Sequence, residues 1–265
     1  MARVTSGATN DFSPIAARYD ATRGIPEAVL AACYDRLIQA GALPSGGTIL
    51  DAGCGTGQIS LPLAARGYAI CGVDVSAEML AIARSKARTA CFAAADVRAL
   101  PARNGAFDAV VVSKLFMHIG DWRGACRELL RVLQPGACLV HISDRSAFGN
   151  AVRKRFSAHA DALGFGDRFP VVHDLAPVAK FLAGQGCEMV PVDAADLRWE
   201  RRIRHGDALD QFEERLFAEF WHLPSAAYAS ILADTACWVE AQPNGRDTVE
   251  TLTPWLSLEA FRKRT

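Results

Sequence analysis

Short apolar runs alternate with helical patterns between residues 48 and 143, and this alternation constrains the fold more than any other feature of the chain. The candidate strands are Thr48–Leu50, Tyr68–Val73, Thr89–Ala93, Phe107–Ser113 and Cys138–Ser143. The helical patterns between them cover Gln58–Arg66, Ala77–Arg88 and Trp122–Leu133. Strands that alternate with helices predict right-handed βαβ units, and therefore a mainly parallel sheet with helices on both faces. Ligands of such sheets bind at the carboxyl ends of the strands.

Beyond Ser143 the spacing of these patterns changes, but no linker separates a second domain. We predict a single α/β domain over residues 1–265, with a core at about 12–143. The ranges 175–200 and 249–260 are expected to complete a seven-stranded sheet. Two further helical ranges, 145–170 and 205–242, are predicted to form a lid.

A glycine-rich turn follows the first candidate strand, in the sequence Asp51-Ala52-Gly53-Cys54-Gly55-Thr56-Gly57. Three alternate glycines let a ligand approach the backbone, and the helix that follows offers free N–H groups to a polar or anionic group. A tight strand-to-helix turn that binds nothing would show the same glycines. The turn therefore indicates a candidate nucleotide site and leaves the ligand open.

Acidic residues follow the next two candidate strands. Asp74 ends the second strand, where a carboxylate can accept hydrogen bonds from both hydroxyls of a ribose. This position suits a dinucleotide as well as S-adenosylmethionine, and a helix-capping carboxylate would also occur here. Asp96, in Ala95-Asp96-Val97, follows the third strand. This residue distinguishes the two cofactors, because it favours S-adenosylmethionine over a dinucleotide.

These three signals together resemble the class I S-adenosylmethionine-dependent methyltransferases, in particular the type 11-like branch that acts on small molecules. The pattern of that branch is D-x-G-x-G-x-G, an acidic residue that ends strand two, and an Asp after strand three. The resemblance runs from Phe12 to about Gly136. It implies a Rossmann-like fold, methyl transfer as the activity and S-adenosyl-L-methionine as the cofactor.

The resemblance also implies roles for individual positions. The methionine part would lie against the three glycines. Asp51 would orient its ammonium directly or through water, and Tyr19 and Arg23 of the Tyr-Asp-x-x-Arg motif would close over its carboxylate. The residues concerned are Gly53, Gly55, Gly57, Asp51, Tyr19 and Arg23. Asp74 would bind the ribose and Asp96 the adenine amino group. The apolar side chains of Val75, Met79 and Val97 would enclose the adenine ring. The residues in this half of the site are Asp74, Asp96, Val75, Met79, Val97 and Ser113.

Three other functions remain open on the sequence. A nicotinamide-dependent oxidoreductase would carry G-x-G-x-x-G, but the residue three positions after Gly55 is Gln58. An RNA methyltransferase is a second alternative, although the chain lacks the Asn-Pro-Pro-Tyr and Pro-Cys motifs of nucleic-acid methyltransferases. The third is a module that binds S-adenosylmethionine without catalysis.

Methyl transfer from a sulfonium needs alignment of the acceptor, and a base only if the acceptor must lose a proton. His118, just after the fourth strand, is the candidate base, and Asp144 and Arg145 after the fifth strand are candidates for contact with the acceptor. We expect a small acceptor, a secondary metabolite or a quinone-like compound. Aromatic residues of the lid ranges could line a partly apolar pocket for it, although most of them are expected to form the core of the lid. These residues are Phe148, Phe156, Phe165, Phe169, Phe212, Phe220 and Trp221.

Composition narrows the partners further. The 29 basic and 29 acidic residues cancel, so no long-range field gathers a nucleic acid or an anionic membrane surface. The eight cysteines are scattered without C-x-x-C pairs, and no metal site is expected. The first ten residues lack the apolar core of a signal peptide, and no run reaches the roughly 20 apolar residues of a membrane span. A cytoplasmic location is therefore predicted, while the oligomeric state stays open.

Overall fold

The computed structural model of the chain describes residues 10–87, 90–145, 149–166 and 175–264. Its helices are α1 (Ala16–Arg23), α2 (Glu27–Gln39), α3 (Ser60–Ala65), α4 (Ala77–Lys86), α5 (Trp122–Val132), α6 (Ala151–Ala162), α7 (Ala176–Gly184), α8 (His205–Glu213) and α9 (Ser225–Glu240). Its strands are β1 (Thr48–Ala52), β2 (Ala69–Asp74), β3 (Cys91–Ala94), β4 (Phe107–Ser113), β5 (Leu133–Arg145), β6 (Cys187–Val190), β7 (Arg201–Arg204), β8 (Val249–Leu252) and β9 (Trp255–Lys263). The predictions made for Arg88, Thr89, Phe148 and Phe169 lie outside the described residues.

A seven-stranded sheet is the centre of the fold, with the strand order β3-β2-β1-β4-β5-β9-β6. Strand β1 is parallel to β2 and β4, strand β2 is parallel to β3, and strand β4 is parallel to β5. Strands β6 and β9 pair with each other in antiparallel orientation. The predicted mainly parallel seven-stranded sheet is confirmed. The chain leaves β3 at one edge and returns to β4 on the other side of β1. This change of direction creates a crevice at the carboxyl ends of β1 and β4, where ligands of such sheets bind.

The central strands form because their residues are apolar without alternation. Val110, Val111 and Val112 in β4 are fully buried, as are Ile49 and Leu50 in β1. A strand that is covered on both faces needs such a continuous apolar run. Burial of this kind is what holds the carboxyl ends of β1 and β4 in fixed positions beside the crevice.

The predicted completion of the sheet is correct in part. The range 249–260 divides into two strands, because Thr253 and Pro254 interrupt it and proline has no N–H to donate to a strand ladder. Strand β9 joins the seven-stranded sheet, whereas β8 pairs with β7 in a separate antiparallel sheet. The assignment of residues 249–252 to the main sheet was therefore wrong.

One predicted helix, Asp207–Phe220, is shorter than expected. Helix α8 ends at Glu213, and Arg215 follows with a φ of 54°. A left-handed residue cannot continue a right-handed helix, so the chain turns there and forms a short 3-10 segment at Ala218–Phe220.

Contacts between residues divide the chain into two compact units. The first comprises the described parts of Met1–Ser143, Val171–Leu197 and Leu256–Thr265, and the second those of Asp144–Pro170 and Arg198–Trp255. The prediction of a single domain with a lid stays a prediction. In the described ranges no helix has both the length and the apolar character required to cross a bilayer.

The second unit has an aromatic core of its own. The ring of Phe156 stacks on that of Phe212 with the centroids 4.3 Å apart, and Phe220 and Tyr228 pack against Phe156 at 4.7 and 5.1 Å. Phe156, Phe212 and Phe220 are fully buried. These three side chains therefore fill the core of their unit, as expected for most of the aromatic residues in these ranges.

Candidate functional site

A cleft in the first unit opens at the carboxyl ends of β1, β2 and β4. It encloses about 710 Å³ of empty space, including the part open to solvent, which suits a small ligand. The predicted site residues that line it are Tyr19, Gly53, Gly55, Asp74, Val75, Met79, Asp96, Val97, Ser113 and His118. The sequence did not reveal six other lining residues, Asn10, Phe12, Ala95, Lys114, Leu115 and Ile119.

The glycine turn presents bare backbone to this cleft. Gly53 and Gly55 have φ values of 73° and 52°, in the region that favours glycine. A Cβ on Gly53 would lie 2.7 Å from Leu115 Cδ1, whereas a Cβ on Gly55 would project into space that is open for at least 4 Å. Gly57 does not line the cleft, and a Cβ there would lie 3.0 Å from Leu61 Cγ. Gly57 is thus favoured by its φ of 79° and by its close packing against Leu61, and its predicted contact with the cofactor stays a prediction.

Asp74 lies at the end of β2 with its carboxylate held by the backbone. Its Oδ2 accepts a hydrogen bond from the Gly55 N–H at 2.8 Å, and its Oδ1 accepts one from the Ser76 N–H at 2.9 Å. Burial raises the pKa of Asp74, and these backbone hydrogen bonds act in the opposite direction. Each carboxylate oxygen can accept a second hydrogen bond. Asp74 can therefore receive two ligand hydroxyls, as a ribose requires.

Asp51 is a buried carboxyl group two residues before Gly53. It is only 1% exposed, and no donor among the described residues reaches its Oδ2. Burial raises the pKa of Asp51 to about 7; the nearby charge of Asp74 adds to this effect and the Ser60 hydroxyl opposes it. Asp51 itself does not line the cleft. A buried carboxyl oxygen without a donor is costly, so this group is suited to compensation by a bound cationic group.

Asp96 lines the cleft but already has a partner that the sequence analysis missed. Arg98 Nη2 donates to Asp96 Oδ2 at 2.6 Å, and Arg98 Nε and the Arg98 N–H donate to Asp96 Oδ1 at 2.9 and 2.8 Å. The hydrogen bonds from Arg98 lower the pKa of Asp96, and burial opposes them. An adenine amino group would therefore share this carboxylate with Arg98.

Apolar side chains form the walls beside these carboxylates. Met79 and Val97 are buried, at 2% and 5% exposure, whereas Val75 is 50% exposed although it lines the cleft. An exposed valine beside the Asp74 carboxylate gives an aromatic base a surface to cover. This arrangement is the one expected for an adenine ring.

Helix α1 brings Tyr19 to the cleft and Arg23 beside it. The Arg23 guanidinium lies 4.8 Å from the centroid of the Tyr19 ring, and Arg23 Nη1 donates to Thr22 Oγ1 at 3.0 Å. Arg23 is 8% exposed and does not line the cleft. Its predicted contact with the methionine carboxylate stays a prediction.

His118 lines the cleft in a short 3-10 turn after β4. Asn10 Nδ2 lies 3.1 Å from His118 Nδ1, and the Phe12 ring meets the imidazole edge-on with the centroids 4.8 Å apart. An amide nitrogen only donates, so Nδ1 accepts and the imidazole proton lies on Nε2. Burial lowers the pKa of His118 to about 4, and the charges of Arg23 and Lys114 add to this effect. His118 is therefore neutral at pH 7.

Asp144 and Arg145 are the last residues of β5, and neither lines the cleft. Their predicted contact with an acceptor stays a prediction. The residues that the sequence analysis missed had no periodic or motif signal. Asn10 and Phe12 precede the first helix, and Lys114 has an unusual φ of 52°, which no sequence pattern predicts. Across the part of the chain that the structure describes, His, Cys, Asp and Glu side chains form no group of three or more that could hold a metal ion.

Bare glycine backbone, two carboxylates and apolar walls together define an adenosine-binding cleft at the switch point of a parallel α/β sheet. The lining fits S-adenosylmethionine: the open space at Gly55 admits a ligand to the backbone, and Asp74 offers a carboxylate at the end of β2. The fold and the site thus fit the class of α/β proteins that bind an adenosine-containing cofactor.

Comparison with known proteins identifies the family. The family model described as a methyltransferase domain matches residues 50–141. The YqeM protein of Bacillus subtilis, assigned to the methyltransferases, is 31% identical over 180 residues, which cover 65% of this chain and 67% of YqeM. The chain belongs to the class I S-adenosylmethionine-dependent methyltransferase family.

Other similarities are partial or concern the fold. The demethylmenaquinone methyltransferase of Thermus thermophilus is 40% identical over 126 residues, which cover 44% of this chain and 57% of that protein. The chain therefore matches little more than half the length of that relative. The crystal structure of YcgJ from Bacillus subtilis has a TM-score of 0.56 at 18% identity and covers 91% of this chain and 100% of its own. YcgJ thus shares the fold.

Proposed function

We propose that this chain transfers a methyl group from S-adenosylmethionine to a small-molecule acceptor. The observation that carries the proposal is that Gly55, Asp74 and Val75 line one cleft, so that backbone, a ribose acceptor and an apolar wall meet at one ligand site. Membership of the methyltransferase family supports the same activity.

S-adenosylmethionine supplies a methyl group activated by its positively charged sulfur. The residues of this chain have the task of aligning the acceptor and excluding water, because in-line displacement depends on the approach of the two reacting atoms. Gly53 and Gly55 would hold the methionine part, and Asp74 the ribose. Val75 and Val97 would enclose the adenine ring.

The acceptor is proposed to bind beside the remaining lining residues. Phe12, Leu115 and Ile119 are apolar, whereas Lys114 and His118 supply polar atoms. This combination favours a small, partly apolar acceptor that carries an oxygen or nitrogen. The name of the Thermus relative, demethylmenaquinone methyltransferase, supports a quinone-like compound, and a secondary metabolite fits the same description.

We further propose that His118 donates a hydrogen bond from Nε2 to the acceptor instead of acting as a base. A base works best with a pKa near the working pH, and that of His118 is held near 4. We expect the His118 ring signal, assigned by comparison with His118→Gln, to stay constant between roughly pH 5.5 and 8 in NMR titrations. A midpoint between about pH 6 and 7 would contradict this role and favour the predicted base.

The test of the proposed function is a calorimetric titration of the purified chain with S-adenosylhomocysteine and, separately, with NADH. We expect saturable binding of S-adenosylhomocysteine and none of NADH. Preference for NADH would indicate a nicotinamide enzyme instead. Methylation of any quinone, phenol or amine would exclude a module that binds S-adenosylmethionine without catalysis.

The sequence carries a basic run at residues 198–204, which includes β7 and is the candidate surface for an RNA acceptor. Local pairing of Arg204 in this run disfavours that acceptor. Arg204 forms ion pairs with Asp207 at 2.8 Å and Asp247 at 2.9 Å, so its charge is compensated locally. Binding to tRNA is expected to be weak. An affinity for tRNA that falls steeply with salt concentration would argue for an RNA substrate.

A further inference from the structure

The side chain of Asp20 connects helix α1 to the glycine turn. Its Oδ1 accepts hydrogen bonds from Thr56 Oγ1 at 2.5 Å and from Gln58 Nε2 at 3.0 Å. Its Oδ2 forms an ion pair with Lys86 Nζ. Asp20 is the second residue of the Tyr-Asp-x-x-Arg motif, in which only Tyr19 and Arg23 have predicted roles.

Lys86 closes this arrangement from a third element. Its Nζ also donates a hydrogen bond to the Thr56 carbonyl at 2.8 Å. Lys86, the last residue of α4, therefore binds both Asp20 and the glycine turn. Burial opposes ionisation of Asp20, but Lys86, Thr56 and Gln58 outweigh it and lower the pKa of Asp20. The carboxylate is therefore charged at neutral pH, and charge-assisted hydrogen bonds of this kind are stronger than neutral ones. We call Asp20, Thr56, Gln58 and Lys86 the Asp20 fastener.

Helix α1 needs such a contact because it has only eight residues. Isolated helices of this length are marginal in water, so tertiary contacts must hold them in place. The same helix carries Tyr19, which lines the cleft, and Arg23, whose guanidinium lies against the Tyr19 ring. Loss of the fastener would therefore release both side chains.

The fastener lies at the glycine-turn end of the site. Asp20 contacts Thr56 and Gln58, next to Gly55, whereas the proposed adenine walls follow β2 and β3. Gly53 and Gly55 are the residues proposed to hold the methionine part, and both line the cleft at this end. Placement of α1 should therefore affect one half of the cofactor only.

We propose that Asp20 is a positioning residue that fastens α1 to the glycine turn and thereby sets the affinity for the methionine half of the cofactor. The proposal rests on the proposed function, because it assumes S-adenosylmethionine as the ligand. Asp20 acts through Tyr19 and Arg23 and does not itself line the cleft.

The experiment compares two ligands by calorimetry, S-adenosylhomocysteine and 5′-methylthioadenosine, which lacks the amino-acid part. Asp20→Ala is expected to weaken S-adenosylhomocysteine about tenfold and to change the affinity for 5′-methylthioadenosine less than about twofold. Asp35→Ala is the matched control, because Asp35 also pairs with a basic side chain, Arg66, at 2.7 Å but lies on α2. This control should leave both affinities unchanged.

A second variant guards against failure of Asp20→Ala to fold. Thr56→Val removes one hydroxyl donor from the fastener at nearly constant volume and keeps the Thr56 carbonyl for Lys86. We expect it to weaken S-adenosylhomocysteine about threefold and to add little when combined with Asp20→Ala, because both changes break the same contact.

The outcomes separate the two proposals. Equal weakening of both ligands, or no weakening of either, would overturn the role of Asp20, since a merely structural residue would not distinguish the two halves of the ligand. If the unaltered chain binds neither ligand, the proposed function fails and this role fails with it.

Discussion

Replacement of Asp74 by alanine is expected to weaken binding of S-adenosylhomocysteine by at least about 100-fold, the largest loss anticipated for a single side chain of the cleft. Two effects combine. The variant loses the acceptor for both ribose hydroxyls, and hydrogen bonds to a charged group contribute about 1.5 to 3 kcal/mol each. It also leaves the Gly55 and Ser76 N–H groups without their present acceptor, which loosens the glycine turn.

Calorimetry on the folded variant measures this loss, with circular dichroism as the test of folding. Glu78→Ala serves as the matched control, because Glu78 is a nearby carboxylate on α4 that does not line the cleft. An analogue of S-adenosylhomocysteine that lacks the two ribose hydroxyls should bind the unaltered chain weakly. Asp74→Ala should bind this analogue no more weakly than it binds S-adenosylhomocysteine itself. Unchanged affinity in Asp74→Ala would remove Asp74 from the cofactor site.

Asp51→Asn is expected to change the pH dependence of both stability and binding. The pKa of Asp51 is about 7 in the folded chain, against an ordinary value of 3.8. Between these values the folded state binds more protons than the unfolded state, so the free energy of unfolding falls as pH rises. The whole effect is at most about 4 kcal/mol. Asparagine does not titrate, and the variant should therefore be the more stable protein at pH 8 in the absence of ligand.

Binding of the cofactor is expected to depend on pH in the opposite direction. The predicted role of Asp51 is to orient the ammonium of the ligand directly or through water. With this role, the affinity of the unaltered chain for S-adenosylhomocysteine should rise up to about tenfold per pH unit below pH 7 and level off above it. Asp51→Asn should bind weakly at every pH. Urea unfolding and calorimetry in buffers of different ionisation enthalpy measure these effects. A variant with the same stability slope as the unaltered chain would show that Asp51 is ionised throughout.

Most of the cofactor half of the site was predictable from local sequence, for identifiable reasons. Glycines at positions 53 and 55 are needed because of their backbone angles, and a carboxylate at the end of β2 follows from strand spacing. These constraints act over a few residues and leave a motif. The Asp96–Arg98 pair could not be predicted in the same way, because an Arg two residues after an Asp is common on protein surfaces.

The acceptor half was much less predictable. Asn10, Phe12 and Lys114 line the cleft without any motif, since their places depend on how the segment before α1 lies against the turn after β4. The sequence left open which of the aromatic residues at 156, 212 and 220 line a pocket and which fill a core, and the tertiary structure buries all three. Aromatic composition indicates apolar packing and does not specify which surface is covered.

The sequence by itself determined the parallel sheet, the glycine turn and the carboxylate at the end of β2, because periodicity, backbone conformation and strand ends are local properties of the chain. Only the tertiary structure decided the protonation of Asp51 and His118, the pairing of Asp96 with Arg98 and the fastening of α1 by Asp20. Those features depend on burial and on contacts between residues distant in sequence or flexible in conformation. Burial sets the cost of a charge, and the arrangement of the folded chain sets which donor compensates it.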